Sequence, residues 1–410
     1  MQRFDQDLAR RTPEAREAEH FLRLRSLLKR AIAEAPGWQA HLGSLDPETV
    51  TSRKALARLP LLRKSDLPCL QAGQPPFGGF ALSQPGRLKR LFVSPGPILD
   101  PEGFGEDWWG AARALHALGL KPGDVLHNSF SYHLTPAGAM FETGAHALGC
   151  AVIPAGTAGT EAQVDALARF GARAYVGTPD FLKIVLDKAA ELGRDVSSLT
   201  LALVSGAALP ASLKRELEAR GLTVRQAYGT ADLGIIAYET GTAEDGMAVA
   251  EEAIVEIVAP GTGDPVPDGE IGELVVTRLN ADYPLFRFAT GDLSAIRLGS
   301  VPGDNTAPRI RGWMGRADQT TKVRGMFVRP EQVAAVAARH PELGRMRLVV
   351  TREAERDVMT LHAEGEDARL ASAVAETLAA LTKLKGECRI VAPGSLPKDG
   401  KVIADERRYD

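Results

Sequence analysis

Cysteine is scarce in this 410-residue chain. The three present, Cys69, Cys150 and Cys388, are far apart and odd in number, so no disulfide framework or CxxC metal site is legible. Free thiols in a reducing cytoplasm are the expectation. No run of about 18 apolar residues occurs, which argues against a membrane span. The opening MQRFDQDLAR lacks the apolar stretch of a signal peptide. The eight histidines show no HExxH pairing, so a protein metal cage is not indicated. Excess charge is also missing: the net value of −3 predicts no broad nucleic-acid or membrane footprint. No internal repeat or low-complexity segment is visible.

What is there looks like an ordinary globular chain, with 44% hydrophobic and 25% charged residues. Its length exceeds one ordinary core, so two or more domains are expected. Residues 13–36 read as a helix through Phe21, Leu24, Leu27, Leu28 and Ile32, stopped by Pro36–Gly37. A second helical arm lies near 51–58. From about 104 to 230, helix and strand alternate: helices at 104–119, 137–149, 161–171 and 210–220, strands at 124–130, 151–155, 174–178, 199–206 and 223–229. Thr178–Pro179 supplies an N-cap and a first-turn proline. This rhythm predicts a mostly parallel sheet with helices on both faces. From 248, alternating strands and Gly/Pro/Asp turns suggest antiparallel structure. The last 90 or so residues read as a small α+β domain, with helices at 331–339 and 367–385. The expected fold class is α/β: a large N-terminal domain of parallel sheets and helices with a β-rich subdomain, then a small α+β C-terminal domain.

Four segments carry chemistry. In QAYGTADLG (226–234), Tyr228 and Gly229 follow a strand, at the sheet edge where α/β proteins bind ligands. A Tyr ring there can stack on a purine, and Asp232 suits a magnesium ion bridging phosphates. In RFATGDL (287–293), Asp292 after a Thr-Gly turn can accept two ribose hydroxyls. In the stretch 313–331, Arg316 can clamp a phosphate and Asp318 is placed as a hinge at the domain boundary. In LPKDGKVI (396–403), Lys401 can bring an ammonium to developing phosphate charge. Each segment alone is equally a turn, a charged linker or an exposed terminal lysine. A Walker-type loop is excluded, because Val402 follows Lys401 where Ser or Thr is needed.

The order Tyr-Gly-x-x-Asp, Arg-x-x-Thr-Gly-Asp, Gly-Arg-x-Asp and Gly-Lys resembles the adenylate-forming, AMP-binding superfamily. FDQDLARRTPEAREAEH, LARLPLLRKSDL, LKPGDVLHNSFSYHLTPAGAMFETGAHALGCAVIPAG and KVRGMFVRPEQV are similar to phenylacetate–CoA ligases, over roughly 1–405. The resemblance implies an AMP-binding domain at 1–317, with a helical arm at about 1–60, and a mobile domain at 318–410 rotating about Asp318. It implies ATP-dependent activation of an aryl or acyl carboxylic acid through an acyl-adenylate, then transfer to coenzyme A. It further implies a cytoplasmic homodimer whose cofactors are ATP/AMP, Mg²⁺ and coenzyme A. Ser205, Gly206, Ala207, Tyr228, Gly229 and Thr230 would surround adenine and phosphate, and Asp292 would hold the ribose. Asp232 would be the magnesium carboxylate, Lys401 would serve adenylation, and Gly325 would line the coenzyme A channel. Tyr132 and Phe141 match positions near the acid pocket.

Three features depart from the family pattern. The phosphate loop, normally rich in Ser, Thr and Gly with a Lys, reads VSPGPILDP at 93–101. Only Ser94 and Gly96 keep useful types, two prolines remove donors, and Asp100 would repel phosphate. Ala231 stands where a hydroxyl usually precedes the magnesium carboxylate. A cysteine-rich segment is missing between 298 and 310. These leave two further readings: a catalytically impaired descendant that binds AMP, acyl-adenylate or acyl-CoA, and an adenylating enzyme with another acceptor.

Overall fold

A computed structural model describes residues 6–94, 97–207, 209–301, 303, 305–319, 321–324, 326–353, 356–397 and 401–407. The chain forms two compact units. The first comprises 1–290 and 294–313, the second 291–293 and 314–410.

In the first unit, helix Pro13–Glu34 opens on Thr12, whose hydroxyl accepts from Ala15 N at 3.2 Å, and buries Phe21, Leu24, Leu27 and Leu28. Pro36 does not simply stop the chain's helical run. It occupies the first turn of a new helix, Pro36–Leu42, where a missing N–H costs nothing. The main sheet has eight strands. In spatial order they are Ala151–Ile153, Val125–Asn128, Ala174–Gly177, Leu201–Val204, Thr223–Thr230, Gly234–Glu239, Met247–Val249 and Arg309–Ile310. The first five are mutually parallel and the rest join antiparallel. Antiparallel pairing therefore begins at Gly234, earlier than the 248 read from the turn residues.

Two local expectations change. The helix expected from 104 starts at Ala111, after Gly110 at φ 76°, and the Asp107 carboxylate accepts Ala112 N at 3.1 Å. Thr178 stands at the N-cap position with Pro179 following, yet its side chain makes no capping bond.

A second sheet orders Leu62–Arg63, Leu285–Ser294, Gly272–Arg278 and Ala253–Val258. Arg287 lies within it, buried and at φ 42°. Its guanidinium bonds Glu256 at 3.1 Å and the carbonyls of Ala57, Leu59 and Gly263 at 2.7, 2.6 and 2.8 Å. The arginine of the RFATGDL segment thus ties the helical arm to the β-rich layer.

In the second unit, strands Glu387–Val391, Arg356–Glu364, Met346–Glu353 and Ile403–Asp405 form one sheet, and Thr321–Val323 pairs with Met326–Val328. Helices Pro330–Arg339 and Ala371–Thr382 bury Val333, Val336, Val374 and Leu378 in a core with Leu348, Val350 and Leu361. The helix expected at 367–385 is shorter because Ala368–Leu370 is a 3₁₀ turn and Lys383 adopts φ 60°.

Candidate active site

The parallel strands of the first unit end at one edge. Gly177, Val204 and Gln226 are in register across three neighbours, so Ser205–Gly206–Ala207 follow one strand end while Tyr228–Gly229–Thr230 complete the neighbouring strand, still paired with Gly234–Glu239. Ser205 N donates to Gly177 O at 3.1 Å, and Gly206 takes φ 75°, a conformation that favours glycine. Gly229 has no room for a side chain. An added Cβ would lie 2.5 Å from Gly234 O, because the strand turns back on itself after a bulge at Tyr228/Gly229. The Thr230 hydroxyl accepts Leu233 N at 3.2 Å, closing the turn that delivers Asp232.

The Asp232 side chain is fully buried. Its Oδ2 receives Lys64 Nζ at 2.6 Å, and its Oδ1 has no partner among the described residues. Lys64 enters from the turn Lys64–Asp66, beside the arm strand Leu62–Arg63. It was not singled out in the sequence, although it lies in LARLPLLRKSDL, one of the segments of resemblance.

The degenerate loop folds as a hairpin of Arg90–Ser94 with Ile98–Glu102. Gly96 lies outside the described residues. Ser94 is buried, and its hydroxyl donates to Ile98 O at 3.2 Å, so it closes the hairpin. Gln71 grips Leu99 through both amide atoms, at 2.9 and 2.8 Å. The grip holds Asp100 in a fully buried position, where Ser94 is the nearest hydroxyl and no well-formed hydrogen bond reaches its oxygens among the described residues. Burial pushes the Asp100 carboxyl well up, and the nearby charge of Asp232 adds to the rise. The sequence reading placed Asp100 against phosphate. The structure turns it inward, beside Asp232.

At the same sheet end, Asn128 donates from Nδ2 to Tyr132 Oη at 2.9 Å and to Gly138 O at 2.8 Å. Burial first, then Glu142, raises the Tyr132 phenol above its ordinary value. Phe130 stacks on Phe141 with ring centroids 5.0 Å apart. Phe141 is buried in the helix Ala137–Ala147 as part of the core. A Cβ on Gly206 would meet Phe130 at 3.5 Å, and one on Gly156 would meet Tyr132 at 3.4 Å. Phe130, Tyr132, Gly156 and Gly206 therefore share one locality, which the sequence spacings of 24 and 76 residues between the paired positions conceal.

In the second unit, Arg316 Nη1 pairs with Asp292 Oδ1 at 3.1 Å, across an isolated antiparallel bridge. Leu293 N donates to Gly315 O, and Met314 N to Leu293 O, each at 2.9 Å. Asp318 falls in the 3₁₀ turn Ala317–Gln319. Lys401 is exposed, and the next residue is anchored, Val402 N donating to Gln319 Oε1 at 2.7 Å. Gly325 lies outside the described residues.

Among the described residues no cluster of three or more His, Cys, Asp or Glu side chains is placed to hold a metal ion. Among the described residues, no helix is long and apolar enough to cross a membrane. A cavity of about 680 Å³ opens beside Arg16, His20 and Arg53, and none of the expected site residues lines it.

A profile of the family described as AMP-binding enzyme matches residues 111–280. A phenylacetate-coenzyme A ligase of Pseudomonas putida is 30% identical over 359 residues, covering 83% of this chain and 80% of that protein. That of Escherichia coli is 28% identical over 366 residues, covering 85% and 82%. Among solved structures, a 2-hydroxyisobutyryl-CoA ligase in an open conformation, in complex with 2-HIB-AMP and CoA, superposes with a TM-score of 0.85 at 22% identity. It covers 99% of this chain and 96% of that one.

Proposed function

Because the chain belongs to the phenylacetate–CoA ligase family of AMP-binding enzymes, we propose that it activates a carboxylic acid with ATP and transfers the acyl group to coenzyme A. The observation that carries this reading is that Ser205–Ala207, just past one parallel strand, and Tyr228–Thr230, the end of its neighbour, fall at the same carboxyl end of the sheet, with Asp232 in the turn that follows. Parallel α/β sheets bind nucleotides at that edge. In the first half-reaction the acid's carboxylate attacks the α-phosphorus of ATP, the bond to the leaving oxygen breaks, and acyl-adenylate and pyrophosphate form. In the second, the coenzyme A thiol loses its proton and attacks the acyl carbon, and AMP leaves with the bonding pair.

The side chains divide these tasks. Tyr228 and residues 205–207 receive adenine and phosphate, Asp292 accepts the ribose hydroxyls, and Arg316 faces phosphate charge. Ser94 borders the phosphate end. Lys401 stabilises the charge that grows as the carboxylate attacks. Tyr132, with Phe130 and Phe141 behind it, borders the acid. The unpartnered Asp232 oxygen fits magnesium, which takes one or two carboxylates plus phosphate oxygens. When bound, the ion would offset phosphate charge.

The non-catalytic alternative is not favoured, since the relatives are ligases by name. The three free cysteines fit a cytoplasmic setting, and a homodimer is the assembly we assign. Incubation with ATP, Mg²⁺, coenzyme A and a panel of aryl and short-chain acids should release AMP and pyrophosphate one-to-one with thioester. Silence across the panel overturns the ligase reading. Hydroxamate formation with hydroxylamine, but no thioester with coenzyme A, would move the assignment to another acceptor.

A further inference from the structure

Lys401 is exposed, and a lysine side chain has much rotamer freedom to lose. Its usefulness at a reacting centre depends on how firmly the backbone under it is held. That backbone is gripped at the very next residue. Val402 O accepts Leu348 N at 2.8 Å, and Val402 N donates to Gln319 Oε1 at 2.7 Å. The first bond opens the parallel pairing of Ile403–Asp405 with Met346–Glu353. The second lies outside any sheet ladder and comes from a side chain.

Gln319 closes the 3₁₀ turn Ala317–Gln319, three residues after Arg316. Arg316 pairs with Asp292 at 3.1 Å, and beside them Leu293 N donates to Gly315 O at 2.9 Å. One short stretch of the second unit therefore carries the arginine at one end and, at the other, the acceptor that holds the lysine's backbone. A neighbouring bond offers a comparison. The Thr321 hydroxyl donates to Asp405 Oδ2 at 2.6 Å. It anchors the same strand, but four residues past Lys401 instead of one.

We propose that Gln319 is a positioning residue for adenylation: its side-chain carbonyl fixes Val402 and so sets where Lys401 stands relative to the Asp292–Arg316 pair. The inference rests on the ligase reading for the task of Lys401. Gln319 itself touches no reacting atom. It acts through the lysine, by limiting how far the lysine's backbone can drift. A displacement of about 1 Å at a catalytic group can cost about 100-fold in rate.

The test separates the half-reactions in the full-length protein, using the panel acid that releases most pyrophosphate. Adenylation is read by ATP–pyrophosphate exchange, and the second step by thioester formation from the supplied acyl-adenylate. Gln319→Met keeps the length of the side chain and removes the carbonyl, whereas Gln319→Asn keeps the amide and shortens its reach. Either should slow exchange by about 10-fold, with the KM for ATP and the thioester step unchanged. Gln319→Glu, which retains an acceptor oxygen, should recover most of the rate. Thr321→Val should leave the ratio of the two half-reactions as in the wild type. On a Lys401→Ala background, Gln319→Met should cost nothing further, because its effect passes through the missing ammonium. Parallel loss of both half-reactions, an equally selective loss in Thr321→Val, or a full additional loss on Lys401→Ala overturns the proposal. If Gln319→Met does not fold, Gln319→Asn is read in its place, and if neither folds the bond is structural and the proposal falls. Undiminished exchange in both variants removes the role of Gln319 alone. Absence of exchange in the wild type with every acid removes the ligase reading instead.

Discussion

Lys64 Nζ lies 2.6 Å from Asp232 Oδ2, joining positions 168 residues apart. The contact locks the arm of the first unit to the turn that follows Tyr228. Its two ends differ: the Asp232 side chain is fully buried, while Lys64 remains 28% exposed. Lys64 thus approaches from the solvent side as a plug over the carboxylate.

Lys64→Met should therefore cost stability, since Asp232 would stay buried without its ammonium. Removing one partner of a buried pair costs about 3–5 kcal/mol. The partial exposure of Lys64 lowers our expectation to about 1–3 kcal/mol, read as a shift in denaturant midpoint. The double variant with Asp232→Asn should recover part of that loss. Strict additivity of the two single changes would show that the contact carries no energy.

The Asp292–Arg316 pair should behave oppositely. Arg316 is 40% exposed, so Arg316→Ala is expected to alter stability by less than about 1 kcal/mol. Adenylation should nevertheless fall by about 100-fold or more, the scale of losing one preorganised donor to transition-state charge. Arg316→Lys should restore little, because an ammonium cannot reproduce the planar fork. Wild-type adenylation in Arg316→Ala would remove the phosphate role.

Lys401→Ala should separate the half-reactions. The anchor from Val402 N to Gln319 holds the backbone beside Lys401 without using its side chain. Acyl-adenylate formation should collapse while thioester formation from supplied acyl-adenylate persists. Equal loss of both would dismiss the assignment of Lys401 to adenylation.

Gly229→Ala tests the sheet edge. With Gly234 O only 2.5 Å from the new Cβ and Ile235 Cα at 3.3 Å, the backbone itself must move. We expect a destabilisation of about 2 kcal/mol together with weakened AMP binding by calorimetry. An unchanged melting temperature would contradict the close approach.

His127 predicts a pH dependence of stability. It is wholly buried, with Nε2 3.0 Å from Gln163 Oε1, and burial lowers its pKa below the ordinary 6.5. Above about pH 6.5 the ring is neutral in both folded and unfolded chains and contributes no slope. Below that value the unfolded chain takes up the proton more readily, so stability should fall with acidification. Denaturant midpoints at pH 7.5, 6.5 and 5.5 should show a decline that His127→Gln flattens. Equal slopes in both proteins would refute it.

The chain's residues made a good deal of this legible. Apolar periodicity, first-turn prolines and helix-ending glycines act within a few neighbours, so the alternation of helix and strand from 111 to 230 could be read directly. What stayed hidden depends on distance through space. Nothing near Lys64 announces Asp232, nothing near Gln71 announces Leu99, and Asp100 reads as an acid facing phosphate until the hairpin turns it inward. Thr178 shows the limit even locally, because its position at the helix start is legible while its unused hydroxyl is not. Hydrogen bonds along the backbone reach about one turn, whereas burial and charge pairing are properties of the packed whole. Only the tertiary structure could decide which acids are left without partners.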